Sequence, residues 1–222
     1  MLFSVVSLLT SAAAVSAVAL PSSVSKRGGG SISVTPHEQY SSSIGVLGCK
    51  INTNRVAYWP SQPDCNNICV KVSYNGRDVY LLKIDRSGGA YDISYDAYNY
   101  LVTGQSATVN PIAGGGIPAT WEDAPMSACA DLLDNGKLPF SAVNGASFIY
   151  SCPTDSWVWK NFSAYNIATM VCTYGIDEVC TLPPLTEGNQ PICPHQAGIQ
   201  TPLEGHTVYN IEYPTGKLVP AL

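Results

Sequence analysis

Apolar and polar positions tend to alternate in several short runs of this chain: NRVAYWP (54–60), ICVKVSY (68–74), RDVYLLKID (77–85) and GGIPATW (115–121). A period of two sends successive side chains to opposite faces, so these runs predict short strands. Turn-forming groups separate them: Asn75-Gly76, Ser87-Gly88-Gly89 and Ala113-Gly114-Gly115-Gly116. The Asn-Gly pair between two β-type runs predicts a hairpin. SYDAYNYL, 94–101, predicts a short helix with Ser94 as its N-cap and Asp96 on its exposed side. Residues 28–43 are Gly- and Ser-rich with little apolar periodicity and predict a mobile arm, so the core is expected to begin near Ile44. Beyond Cys129 the patterning turns helical or irregular and ends Pro-rich, which predicts an appended, partly helical extension over 131–222.

The first residues add a destination. MLFSVVSLLTSAAAVSA, 1–17, is uncharged, apolar and ends in small residues, as a secretory signal does; it is shorter than the ~20 apolar residues a bilayer span needs. VALPSSVSKR, 18–27, ends in the dibasic pair Lys26-Arg27 and resembles a propeptide cut by a kexin-type protease, which suggests a fungal secretory pathway. Release of Gly28 onward would remove two positive charges from a chain whose formal net charge is already −5. Nucleic acid and anionic membranes both call for a basic footprint, so neither is an expected partner.

Eight cysteines change the picture further. Cys49, Cys65, Cys69, Cys129, Cys152, Cys172, Cys180 and Cys193 all follow the export segment, and an even set in an oxidising compartment predicts disulfides, with the pairing left open. Cys65-x-x-x-Cys69 has loosely zinc-like spacing, but no second close pair completes it, so no metal and no cofactor are expected. Asn161-Phe162-Ser163 is a glycosylation sequon. His37, His195 and His206 lie far apart with no nucleophile motif beside them, and no Gly-x-Ser-x-Gly elbow occurs.

The order CVKVSY, turn, LKID, glycine turn, YDIS, short helix, then GGGIPATWEDAPMSAC resembles the double-psi β-barrel of barwin, expansins and family-45 glycoside hydrolases. The resemblance covers roughly Ile44 to Cys129 and implies a mostly β fold: a six-stranded double-psi barrel over 44–130, carrying the cysteine-stapled extension. It places Asp85 at the family's strand-end aspartate and Asp92 at its groove aspartate, the general acid in the hydrolases. Asn54 to Pro60 is similar to the hydrolase segment that ends in the catalytic base, and here that position is Pro60. An inverting hydrolase needs a second carboxylate ~6.5–9.5 Å from the first to activate water. Proline supplies none, and Asp64 is the candidate substitute.

The implied site therefore has Asp92 and Asp85 facing a groove, with Tyr58, Trp59, Tyr91 and Tyr95 offering ring faces to sugar. Tyr58 and Trp59 are adjacent strand residues pointing to opposite sides, so at least one is expected to be exposed. Tyr91 and Tyr95 share a helix face if the helix reaches both. Trp157 and Trp159 are expected in the core of the extension. The resulting expectation is a secreted, monomeric protein that binds or loosens wall polysaccharide without cutting it, as expansins do, or binds a host-surface protein, and serves wall remodelling or virulence. A β-glucanase with Asp92 as acid and a protein-binding effector on a barrel scaffold are the alternatives.

Overall fold

The computed structural model describes residues 28–222; the segments read as signal and propeptide lie outside the described residues. Six strands close a barrel: β1 (Gly29–His37), β2 (Val56–Trp59), β3 (Cys69–Tyr74), β4 (Arg77–Arg86), β5 (Tyr91–Ser94) and β6 (Ile117–Asp123), in the spatial order β1-β5-β2-β4-β3-β6. The pairs β1–β5 and β2–β4 run parallel and the other four antiparallel. This is the six-stranded double-psi barrel anticipated above. Asn75 and Gly76 turn the β3–β4 hairpin with φ of 50° and 74°, the left-handed conformation that a two-residue hairpin turn requires.

The Gly/Ser-rich segment is not an arm: Gly29–His37 is strand β1, the barrel's sixth stave. Composition misleads here because β1 carries little apolar surface. Val34 is its one fully buried residue, and the strand is held by backbone pairing to β6 on one side and β5 on the other. The barrel accordingly begins near Gly28.

Two hydrophobic cores back onto each other. Inside the barrel, all six strands contribute, through residues such as Val34, Trp59, Val72, Leu81, Ile93 and Ala119. The helix α1 (Tyr95–Thr103) adds Tyr95, Tyr98 and Leu101 to that core. Ser94 is its N-cap by position, yet its hydroxyl accepts from Val56 N–H (2.9 Å) and donates to Thr53 O (2.8 Å), tying α1 to β2 instead of capping the helix.

The second core lies outside the barrel wall. Val56, Tyr58, Ile68, Leu82 and Ile84 pack there against residues of the C-terminal half. That half holds a three-stranded sheet of β7 (Leu138–Ser141), β8 (Phe162–Ile167) and β9 (Gly175–Cys180), and a ribbon of β10 (Tyr209–Ile211) and β11 (Leu218–Pro220). Two short helices, α2 (Ala146–Ser151) and α3 (Trp157–Lys160), complete it. Leu138, Phe140, Ile149, Val158 and Ile167 are fully buried in the shared core. Burial of each such side chain contributes about 1.5–3 kcal/mol. Trp157 and Trp159 pack against the same core from its edge, half-buried.

Four disulfides form: Cys49–Cys172, Cys65–Cys152, Cys69–Cys129 and Cys180–Cys193. The first two join the barrel half to the C-terminal half, so the extension is stapled to the barrel as well as packed on it. Among the described residues no helix is long and apolar enough to cross a membrane, and no cluster of three potential ligands could hold a metal ion.

Candidate functional site

Register brings Asp85 and Asp92 to either side of one residue. Tyr58 of β2 is paired with Asp92 of β5 and with Asp85 of β4, after a bulge at Ala57/Tyr58 that brings Asp85 level with it. Two interstrand steps put the two aspartate backbones about 9–10 Å apart. Spacing alone does not make an acid and base pair. Asp85 is buried, and its oxygens are taken by the Ser41 hydroxyl, Ser43 N–H (2.7 Å) and its neighbour Arg86 N–H (2.7 Å). It anchors the 41–43 loop over the barrel wall. Asp92 is half-buried, and its Oδ1 accepts the hydroxyl of Thr35, its partner on β1.

Pro60 ends the β2 segment as the sequence indicates. Asp64 is exposed and turned back on its own loop, where Oδ1 accepts N–H groups of Asn66 (2.6 Å) and Asn67 (2.8 Å).

The aromatic candidates are mostly inside. Tyr58 and Trp59 do point to opposite faces, but each face has a core: Trp59 fills the barrel and Tyr58 the second core, at 1 % and 3 % exposure. The expectation of an exposed ring fails because the C-terminal half covers the outer wall at β2. Burial pushes the Tyr58 phenol far above the tyrosine range, with Asp85 adding to the rise, while hydrogen bonding to Ser94 and Ser41 offsets part of it. Burial likewise raises the Tyr40 phenol beside it. Tyr95 is buried and shares its helix face with Tyr98; their hydroxyls donate to Ile112 O (2.8 Å) and Gly115 O (2.7 Å), holding down the glycine loop. Tyr91 lies on a strand, so it forms no helical pair with Tyr95; of the four candidate rings it alone keeps partial exposure.

The open surface lies elsewhere on the barrel. Across β1-β6-β3, register aligns Ser31, Thr120 and Ser73 in one row and Gly29, Glu122 and Lys71 in the next. Lys71 Nζ lies 2.7 Å from Glu122 Oε1. Ser31, Thr120, Ser73, Lys71 and Glu122, with Gly30 and half-buried Trp121, line a shallow groove of about 390 Å³. The floor is polar and hydroxyl-rich; the Trp121 ring itself turns to the inner side of β6 with Ala119 and Asp123. There it stacks edge-on against Trp59 at 4.7 Å between centroids, bracing β6 from the barrel interior. The alternation in IPATWED marks Pro118, Thr120 and Glu122 as outward; what the sequence lacked was the presence of β1 beside them.

Residues 22–132, half of the chain, match the family model for cerato-platanin. The chain belongs to the cerato-platanin family. Members of this family are secreted fungal proteins, non-enzymatic, carbohydrate-binding and expansin-like, and they bind polysaccharides such as chitin oligomers. The solved structure of cerato-platanin 3 from M. perniciosa is 14 % identical over 45 % of this chain and 98 % of its own, with a TM-score of 0.34. No curated protein matches the chain.

The cerato-platanin match ends at Leu132, where the barrel segment gives way to the C-terminal half. Two residues, one in each half, carry roles that differ from their sequence reading. Asp96, expected on an exposed helix face, is buried and meets Arg55 Nη1 at 2.7 Å, with Ala107 N–H (2.8 Å) and the Ser106 hydroxyl as further partners. Asn161 of the sequon is half-buried at the end of α3, and its Nδ2, the atom a glycan would occupy, donates to Trp157 O at 2.8 Å. In the C-terminal half Glu178 receives His195 Nδ1 (2.7 Å) and Asn166 Nδ2 (2.8 Å). Desolvation raises its carboxyl, but these hydrogen bonds outweigh it and the net shift is downward.

Proposed function

We propose that this protein binds cell-wall polysaccharide, in the manner of expansins, through the outer β1-β6-β3 face of the barrel, and does not hydrolyse it. The carrying observation is the contrast between the two faces. The aspartates that would run hydrolysis are occupied as acceptors for Thr35, Ser41, Ser43 and Arg86. The β1-β6-β3 face is open and hydroxyl-rich and carries the Lys71–Glu122 pair.

A glycan chain presents an edge of hydroxyls, and the row of Ser31, Thr120 and Ser73 beside the Lys71–Glu122 pair offers donors and acceptors to it. The carbohydrate binding of the family supports chitin-type or β-glucan chains as the ligand class. Export through a fungal secretory route is part of the same reading, and the disulfide framework fits an extracellular location. Co-sedimentation with insoluble chitin and cellulose tests it: retention on either polymer, weakened by Thr120→Arg, is the expected result. A protein recovered wholly in the supernatant from both would leave the effector reading in its place.

A further inference from the structure

At the open end of the barrel, an acidic side chain is buried with half of its hydrogen-bonding capacity unused. Asp123 ends β6 at 7 % exposure. Its Oδ2 accepts the backbone N–H of Gly28 at 2.7 Å, and its own N–H donates to Gly28 O at 3.0 Å. Its Oδ1 is buried with no hydrogen-bond partner among the described residues. The ammonium of buried Lys83, held over the Trp59 and Trp121 rings, forms an ion pair with this oxygen at 3.6 Å, beyond hydrogen-bond reach.

The pocket around Gly28 is built to its size. A Cβ placed there would stand 2.8 Å from Trp121 Cη2 and 3.1 Å from Asp123 Oδ2, so no larger residue enters without moving the indole or the carboxylate. Immediately before this glycine stands Lys26-Arg27, a dibasic pair. A buried carboxylate is costly to hold with a neutral amide donor and a lysine beyond hydrogen-bond distance; a second cation in contact changes that balance.

We propose that Arg27–Gly28 is a processing site and that Asp123 is the receptor for the new N-terminus: once the bond is cut, the Gly28 α-ammonium pairs with Asp123 and pins β1 into the barrel. The step is hydrolysis by an endoprotease that cleaves after dibasic pairs. Water adds across the Arg27–Gly28 amide, the C–N bond breaks, Arg27 leaves with a free carboxylate, and the Gly28 nitrogen takes up protons to become an ammonium. The amide's single N–H donor becomes a three-donor cation at the same position. Two of its protons are then free to reach Oδ1 and the Trp121 face, which an amide cannot do. Processing in this way tightens the fold by forming an ion pair; the inference is independent of what the barrel binds.

The test uses secreted full-length protein and its variants. Intact mass of the secreted chain should give Gly28 as the first residue. The native α-amine should react with 2-pyridinecarboxaldehyde at least ~10-fold more slowly than the same chain in guanidinium, and Asp123→Asn should abolish that protection. A chain kept uncut by Lys26→Ala with Arg27→Ala should unfold at least ~3 °C below the processed protein. Should Asp123→Asn fail to fold, the native-against-denatured rates and the uncut chain carry the decision. A secreted chain that starts elsewhere, an α-amine as reactive native as denatured, protection that survives Asp123→Asn, or equal melting of cut and uncut chains would each overturn the proposal.

Discussion

Thr35 and Asp92 face each other across the parallel β1–β5 pair, and the threonine hydroxyl donates to Asp92 Oδ1. A carboxylate engaged in this way serves as a tie between strands. An asparagine keeps an acceptor oxygen in the same place, so Asp92→Asn should cost less than about 1 kcal/mol. Urea unfolding checks the stability, and retention on chitin should be unchanged in the same variant.

Asp85 carries more of the structure than Asp92. It is buried and accepts from Ser41, Ser43 and Arg86, so Asp85→Ala leaves donors unpaired at the loop over β2. Each stranded buried group costs about 1–3 kcal/mol, and a loss of about 2–4 kcal/mol in urea unfolding is expected. A neutral outcome would mean that the loop finds other acceptors and that Asp85 is free for another role.

The Arg55–Asp96 pair gives a third test. Asp96 is 7 % exposed at its side chain and Arg55 24 %. Arg55→Ala removes the cation but leaves the carboxylate buried, with Ser106 and Ala107 as its remaining donors. Discounted for the arginine's partial exposure, the expected cost is about 2 kcal/mol. Asp96→Asn, which keeps both local hydrogen bonds in reach, should cost less.

How much of this was legible beforehand divides along physical lines. The β3–β4 hairpin could be read because Asn75-Gly76 is a local signal with a local cause, and α1 because its tyrosines and Leu101 recur at helical spacing. Strand β1 could not, since its place is set by backbone pairing to β5 and β6, which are 54 or more residues away and leave no mark in β1's own composition. The same holds for Tyr58. Its partner core comes from Phe140, Ile149 and Val158, and nothing near residue 58 announces that the outer wall is covered. The acceptor roles of Asp85 and Asp96 were missed for that reason too: Ser41 and Ser43, which donate to Asp85, and Arg55, which meets Asp96, belong to other segments.

Tyr40 and Tyr58 predict a pH dependence. Burial raises both phenols above the ordinary value near 10, so the native protein keeps protons that the unfolded chain releases there. Their contribution is fully present below about pH 10 and declines as pH rises past it, by up to about 1.4 kcal/mol per pH unit for each phenol. Urea unfolding between about pH 9 and 11 should show this fall. Tyr58→Phe should make it shallower, because one fewer proton is then released on unfolding.

The central claim is binding without cleavage at the β1-β6-β3 face. It is tested most directly by incubating the protein with insoluble chitin and cellulose and measuring, in one reaction, protein retained on the polymer and reducing ends released, for wild type and for Thr120→Arg with Ser73→Arg. The account predicts retention by wild type, a loss of most of it in the double variant at unchanged fold, and reducing ends no higher than in polymer alone. Release of reducing sugar that disappears in Asp92→Asn, or retention unaffected by the double variant, would contradict it.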